Sequence, residues 1–458
     1  MFPIVGTPRR LIRFLEDPIG VVMSLREHGD VVAVVDRNPA IVCVFGAERN
    51  RDVLANPGVF HNPEDFFRGP DGSARQKMRA MVVTSNGEDY RRRRRLMMPA
   101  FQRSALEGYA ADIVTLTREV LARWPTSGIV AADALCRELA LCIAVKCFYG
   151  LDVKDGAPEL GRTMMEFVRL ITSPANILLP IDLPGMPYRR GVRLGEQLAA
   201  RMMALVEEKR RRGGQQRDAM GLLLAAHDNS GEALSADELM AMAVELFIAG
   251  SDTTAMTLLW VLFLLDQHPD VLDAVRAEID DVLGDREPTV ADIPRLELLD
   301  RVIRETMRVL PTAPVLFLRR AAEDATLGGK PIPKDANVVV SPFATHHDPV
   351  LYPDPERFDP DRWRTLDPPV YTYLPFGAGP RTCTGMMFAS QSLRLTLPMI
   401  LQRFRFRTNA GTRIDRLTRG NIFHPRDGLK MTVEPFVGRS APAAPVAGNI
   451  HALVRLPS

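Results

Sequence analysis

Apolar residues recur at intervals of three and four over residues 104–123, 131–150, 192–211, 236–267, 269–283 and 296–310. That period predicts helices that each bury one face. β-Branched residues alternate with turn formers over 29–46 (GDVVAVVDRNPAIVCVFG), which predicts a hairpin, and further strand pattern is confined to 315–341. The fold class is mainly α with minor β. The longest periodic stretch opens at Ser235-x-x-Glu238, a capping box, and meets no proline before His268-Pro269. It predicts one helix of roughly 48 Å. A helix this long and apolar buries its faces by crossing the middle of the molecule. Glu245 and Asp252 interrupt it, so it reads as a buried helix and not a membrane span. The proline-rich run 174–190 breaks two helical stretches and reads either as a lid over an apolar site or as a packed connector. The Ala/Pro-rich end, about 438–458, reads as a surface C-terminal arm.

Composition narrows the class. A hydrophobic share of 46% with 25% charged residues describes a soluble globular protein with a sizeable core. A net charge of +2 provides no overall field for nucleic acid or an anionic membrane. The first twenty residues lack the apolar core of a secretion signal. Five cysteines without a CxxC pair argue against a disulfide framework or a zinc site, and imply a reducing compartment. A cytoplasmic location is expected.

The densest chemical signal is YLPFGAGPRTCTGMMFA, in which Phe376-x-x-Gly379-x-Arg381-x-Cys383-x-Gly385 runs into a helical pattern. Chance yields these positions with odds on the order of one in ten thousand, so their order carries information. Glycines 377, 379 and 385 allow tight turns and close backbone approach to a flat ligand, and leave amide N–H groups to point at sulfur. A helix beginning at Cys383 would set the thiolate at its positive end, lower the thiol pKa and favour the anion a metal needs. Arg381 is placed for a charge-assisted pair with a ligand carboxylate. Cys43, Cys136, Cys142 and Cys147 read as small buried hydrophobes.

This loop resembles that of the cytochrome P-450 family, which has the same order of Phe, Gly, Arg, Cys and Gly. The resemblance implies a single-domain cytochrome P-450 fold over residues 1–458, with the long central helix over the haem and the cysteine loop below it. It makes Cys383 the ligand of iron in haem b, with Phe376, Gly377, Arg381 and Gly385 around the cofactor. A thiolate ligand pushes electron density onto iron and favours O–O cleavage. The activity implied is a monooxygenase that hydroxylates or epoxidises an apolar molecule such as a terpene, fatty acid, macrolide or steroid. Its electrons would come from a ferredoxin or flavodoxin type donor with its reductase, since 458 residues leave no room for a fused redox domain. A monomer is expected.

Within the long helix stands Ala249-Gly250-Ser251-Asp252-Thr253-Thr254, costly in a buried helix by roughly 1 kcal/mol for the glycine alone. In the resembled family this pattern lies over the distal face of the haem. The resemblance puts Ala249 against the cofactor, has Thr253 hydrogen-bond the bound oxygen or its water, and has Asp252 relay protons. The plain structural reading is a kink with self-satisfied hydroxyls.

The remaining motifs extend the resemblance. Glu305-x-x-Arg308 places acid and base on one helix face, and the family pattern sets Arg357 against them as a buried network without chemical role. GEDYRRRRRLMMPAF matches the haem-flanking helix: Tyr90 stands where Trp or His is usual, and Arg94 is a propionate partner. Arg319 is the second partner, with Arg320 as the alternative. Arg91, Arg92, Arg93 and Arg95 read as a solvated basic face or as a dock for an acidic electron donor. In the turn Ile332–Asn337 many relatives have a glycine that this chain lacks. The implied pocket takes Phe66, Phe67, Met78, Met81, Val82, Phe247, Ala249, Thr312 to Phe317, and a return loop at Ile422 and Phe423. Two other readings stand beside the monooxygenase: a peroxide-using or rearranging haem-thiolate enzyme, and a haem-based ligand sensor.

Overall fold

The computed structural model describes residues 8–35, 40–151, 157–173, 176, 179–212, 217–228, 231–436, 438 and 442–457. The periodic stretches fold as helices, among them Gly87–Met97, Arg103–Leu121, Ala132–Tyr149, Pro187–Arg212, Pro269–Leu283, Glu297–Val309 and Met386–Arg403. Strands Val31–Val35 and Ile41–Val44 form the expected antiparallel hairpin. Asn337–Val340 extends it in parallel, and Arg319–Ala321 and Phe60–His61 complete a five-stranded sheet. Because parallel neighbours need a long crossover, nearly the whole helical body lies between the second strand and its partner. In the Ile332–Asn337 turn, Asp335 takes the left-handed conformation (φ 67) that a glycine would otherwise supply, which an Asp tolerates better than most residues.

The long helix crosses the core as expected, with both halves of its capping box in place and Leu258, Leu259, Trp260, Val261, Phe263 and Leu264 at zero exposure. It is long and apolar enough to cross a membrane, yet 67% of its apolar window is buried inside the protein. The helix is kinked at Ala249–Thr254, as the kink reading of that stretch expects. Ala236–Gly250 and Asp252–Gln267 are separate segments hinged at Ser251 (φ −96, ψ −59). The cause is local. Ser251, Thr253 and Thr254 hydroxyls donate to the carbonyls of Phe247, Ala249 and Gly250 at 3.1, 2.7 and 3.2 Å, competing with the helix ladder. Gly250 lies so near Phe148 that a Cβ would sit 2.4 Å from its ring.

The C-terminal segment also departs from the reading. Over 442–457 it is not a surface arm: Ile450, Leu453 and Val454 are at 0–1% exposure in the main core. Arg455 N–H donates to Glu356 at 2.7 Å, and the Leu453 carbonyl meets His347 Nε2 at 2.9 Å. Of the proline-rich run, residues 174, 175, 177 and 178 lie outside the described residues. Leu179, Ile181 and Leu183 are exposed.

Behind the cysteine loop, Glu305 and Arg308 are fully buried and paired twice, Nε and Nη2 each donating at 2.9 Å. The third member is not Arg357, whose side chain is exposed and which contributes only its carbonyl to Arg308 at 3.0 Å. Arg362 takes that place, with Nε on Glu305 Oε1 at 2.9 Å, and Trp363 Nε1 donates to Oε2 at 2.9 Å. Arg308 Nη1 also donates to the His346 carbonyl, and the His346 ring accepts the Leu374 amide at 2.7 Å. Burial, then the Arg308 charge, pushes His346 far below its ordinary pKa, so it stays a neutral acceptor. The network therefore grips the chain nine residues ahead of Cys383.

Candidate active site

Cys43, Cys136, Cys142 and Cys147 are buried, whereas Cys383 is exposed. Its amide donates to the Phe376 carbonyl at 2.9 Å, which closes the loop. Gly379, at φ 73, is held where a Cβ would lie 2.5 Å from the Leu54 carbonyl oxygen, so no other residue fits without a shift. The helix begins at Met386 and not at Cys383. Its first amides still reach the sulfur. Protein packed around the thiol pushes its pKa up, against the Gly385 and Met386 amides and Arg94, which favour the thiolate. The surrounding protein outweighs them although the residue is open on one side, so the net lowering expected from the helix start does not occur in the thiol alone. A metal replacing the proton is what would fix the anion.

Three arginines gather near this loop. Arg94 Nη1 donates to the Thr382 carbonyl at 2.8 Å and to Tyr90 Oη at 3.0 Å, and Tyr90 in turn donates to the Pro380 carbonyl at 2.6 Å. Tyr90 thus ties its helix to the cysteine loop. Arg381 stacks over the Tyr90 ring at 4.1 Å and bonds Ser85 and Asn86, but its Nε and Nη1 are buried without a partner. Arg319 is 7% exposed and donates to the Phe317 carbonyl at 2.9 Å. Burial, then the Arg381 charge, pushes Arg319 down to about 10. Arg320 points elsewhere and pairs with Asp65 at 3.0 Å. Among the described residues no carboxylate pairs with Arg94, Arg319 or Arg381. Buried cations of one sign and orphaned donors are costly unless an anion joins them. The donor set fits a ligand that carries carboxylates beside a thiolate-bound metal.

On the long helix, Ala249 is exposed and Thr253 is half-buried at the hinge. Asp252 is not free: Arg137 Nε donates to its Oδ1 at 3.1 Å, and His424 Nε2 lies 3.4 Å from Oδ2. Neither partner was legible in the sequence, although His424 adjoins the return-loop residues Ile422 and Phe423. Glu245 was also missed. Its carboxylate accepts the Val82 and Val83 amides at 2.7 and 2.9 Å and pins the 78–84 segment to the long helix.

Phe67, Met78, Met81, Val82, Phe247, Ile422 and Phe423 are buried, and the side chain of Phe66 lies outside the described residues. Thr257 and Thr312 hydroxyls meet at 2.8 Å, and Phe423 stacks on Trp260. The arginine run is not one basic face. Arg92 and Arg93 turn inward, to Asp228 at 2.8 Å and to Glu238 at 2.9 and 3.0 Å, and so hold the start of the long helix. Arg91 and Arg95 alone face outward, both near Glu88.

The fold is a helical body with a small sheet, a cysteine loop, a hinged core helix, and three arginines that have no carboxylate partner among the described residues. Comparison with known proteins gives the class. The sequence profile of cytochrome P-450 matches residues 10–433. Cyclooctat-9-en-7-ol 5-monooxygenase of Streptomyces melanosporofaciens is 32% identical over 419 residues, covering 90% of this chain and 89% of the relative. Pentalenene oxygenase of Streptomyces avermitilis is 30% identical over 435 residues, covering 93% and 94%. The solved structure of retinoic acid bound cyanobacterial CYP120A1 superposes with a TM-score of 0.81 at 25% identity, over 95% of this chain and 100% of that one. The chain belongs to the cytochrome P-450 family and is a haem-dependent monooxygenase.

Proposed function

We propose that this protein hydroxylates or epoxidises a terpene or related isoprenoid, with haem b ligated by Cys383 in one catalytic domain over residues 1–458. The observation that carries the reading is the group of arginines without carboxylate partners, Arg381 with two orphaned donors, near the exposed Cys383. Arg94, Arg319 and Arg381 would hold the propionates, and Arg319 is preferred over Arg320 because Arg320 is already spent on Asp65. Tyr90 acts by fixing the loop and not by a propionate bond, its hydroxyl hydrogen being on Pro380. Phe376, Gly377 and Gly385 shape the loop, and Ala249 leaves room above the cofactor. Bound haem supplies the activation of dioxygen, in which two electrons and two protons place one oxygen atom in the substrate and release the other as water.

The chain's own part is to bind, orient and move protons. Thr253 spends its hydroxyl hydrogen on Ala249, so toward the cofactor it is an acceptor and holds a water or a proton-bearing group. Asp252 is the acid through which protons arrive. A terpene is favoured because two relatives are named for terpene oxidation, the solved relative binds an isoprenoid acid, and the candidate pocket residues are apolar. Electrons would come from a ferredoxin or flavodoxin type donor with its reductase, acting on a cytoplasmic monomer. Titration of the haem protein with pentalenene tests the substrate class through a shift of the haem absorption band. No shift with pentalenene or other cyclic terpenes overturns it. Cys383→Ser tests the ligand, since an unchanged spectrum would refute ligation by that sulfur.

A further inference from the structure

Asp252 is clamped by two elements other than its own helix. Arg137 comes from Ala132–Tyr149 and His424 from the strand Ile422–Pro425. Arg137 is itself fixed, with Nη1 on Asp133 Oδ2 at 2.6 Å, while its Nη2 lies 3.2 Å from His424 Nδ1. A guanidinium carries donors only, so His424 Nδ1 must accept. The ring hydrogen therefore sits on Nε2 and faces Asp252 Oδ2, 3.4 Å away. Burial, with Arg137 and Arg419 opposing Asp252 and Asp133, pushes His424 down to about 4, so the ring is neutral at neutral pH. A neutral ring capped at Nδ1 has no site to take up a second proton. It can orient Asp252 but cannot shuttle for it.

The same strand is keyed into the candidate pocket wall. Phe423, next to His424, stacks on Trp260 at 4.6 Å, and its amide donates to the Thr312 carbonyl at 2.8 Å. Thr312 closes back on Thr257 of the long helix. A displacement of this strand must move the Nε2–H that faces Asp252.

We propose that His424 is a positioning residue which, with Arg137, sets the orientation of Asp252 and transmits to it the position of the pocket strand. The inference rests on the reading of Asp252 as the acid of the proton path. Without the clamp the acid turns away, protons arrive late, and reduced oxygen leaves as hydrogen peroxide after taking two electrons and two protons, with no oxygen atom placed in the substrate.

Nitrogen NMR of the histidine-labelled, carbonyl-ferrous holoprotein tests the geometry, with His424→Gln identifying the signal. At neutral pH the expected result is a neutral ring with hydrogen on Nε2. Hydrogen on Nδ1, or a charged ring, overturns the clamp. Its role is tested with pentalenene, a surrogate ferredoxin and its reductase, by the share of NADPH electrons recovered as hydrogen peroxide. His424→Leu is expected to raise that share severalfold without changing the haem spectrum. His424→Gln, which keeps a donor toward Asp252 and an acceptor toward Arg137, is expected to stay near the native value. A merely structural role would instead show as lowered stability with the peroxide share unmoved. If His424→Leu is as well coupled as the native protein while Asp252→Asn leaks peroxide, the clamp is wrong and the relay stands. If Asp252→Asn is also fully coupled, the relay of the proposed function fails as well.

Discussion

Two ionic clusters, one around Glu305 and one around Asp252, are built to opposite ends. Around Glu305 every acceptor position is filled: Oε1 takes Arg308 Nη2, Arg362 Nε and the Asp359 amide, and Oε2 takes Arg308 Nε and Trp363 Nε1. The pair has zero exposure. Around Asp252 each oxygen meets one partner, at 3.1 and 3.4 Å, and the side chain is 22% exposed. A saturated buried cluster resists movement, and so supplies rigidity. A sparsely filled, partly exposed one holds its acid by two contacts and leaves it within reach of solvent. The first belongs to stability and the second to turnover.

Removing Glu305 should break that contrast most severely. Glu305→Ala strands Arg308 and Arg362 without a carboxylate, and is expected to cost about 3 to 5 kcal/mol. Denaturant unfolding followed at the haem band should show it as an early midpoint or as failure to hold haem. Asp252→Asn should cost less than about 1 kcal/mol, as for a partly exposed pair, while oxygen coupling falls. Equal stability losses in the two variants would refute the comparison.

Glu245 lies between these extremes and carries a pH signature. Burial pushes its carboxyl up to about 7, against the Val82 and Val83 amides and Arg93, which lower it. An acid whose folded pKa lies above its unfolded value favours folding while protonated. Its contribution is complete below about 4.5 and is lost as pH rises through about 7. Glu245→Gln loses one of the two acceptors at every pH but cannot ionise, so its stability relative to the native protein should rise by up to about 3 kcal/mol between those limits. Paired unfolding curves at both ends of the window measure it, and a constant difference would refute the shift.

How much of this was legible depended on whether the signal was local. The cysteine loop is contiguous, and its glycines and Arg381 can be read from spacing alone. The long helix was legible from its period and its kink from the hydroxyls of Ser251, Thr253 and Thr254, whereas Phe148 pressing on Gly250 was not. That contact does not alter hydrophobic periodicity. The Ala/Pro bias of the C-terminus concealed Ile450, Leu453 and Val454, which fill a core gap visible only in three dimensions. Arg92 and Arg93 read as a charge run because their acids, Asp228 and Glu238, lie more than a hundred residues away. Arg137 and His424 escaped notice for the same reason.

On the arginine side, Arg319→Ala should remove one donor from the proposed propionate site. A bond to a charged group contributes about 1.5 to 3 kcal/mol, so haem should be lost to a scavenging apoprotein about 10 to 100 times faster. Arg320→Ala should leave that rate near native, because its partner is Asp65. The opposite ranking would exchange the two assignments.

The finest test separates Arg357 from Arg362 within the saturated cluster itself. Both follow Glu305 by a similar distance in sequence, and the family resemblance put Arg357 in the cluster. The chain turns at Asp354 (φ 49) and enters a short 3-10 helix at Pro360–Arg364, which directs Arg362 inward and leaves Arg357 to offer only its carbonyl. Arg362→Ala should therefore cost about 1.5 to 3 kcal/mol, since a charged bond to a fully buried carboxylate is lost. Arg357→Ala should stay within about 0.5 kcal/mol of native, because its backbone carbonyl survives the change and its side chain is exposed. Parallel denaturant melts resolve the difference. An Arg357→Ala loss matching that of Arg362→Ala would mean that its side chain reaches Glu305 after all, and the cluster would have one more cation than its filled acceptor positions allow.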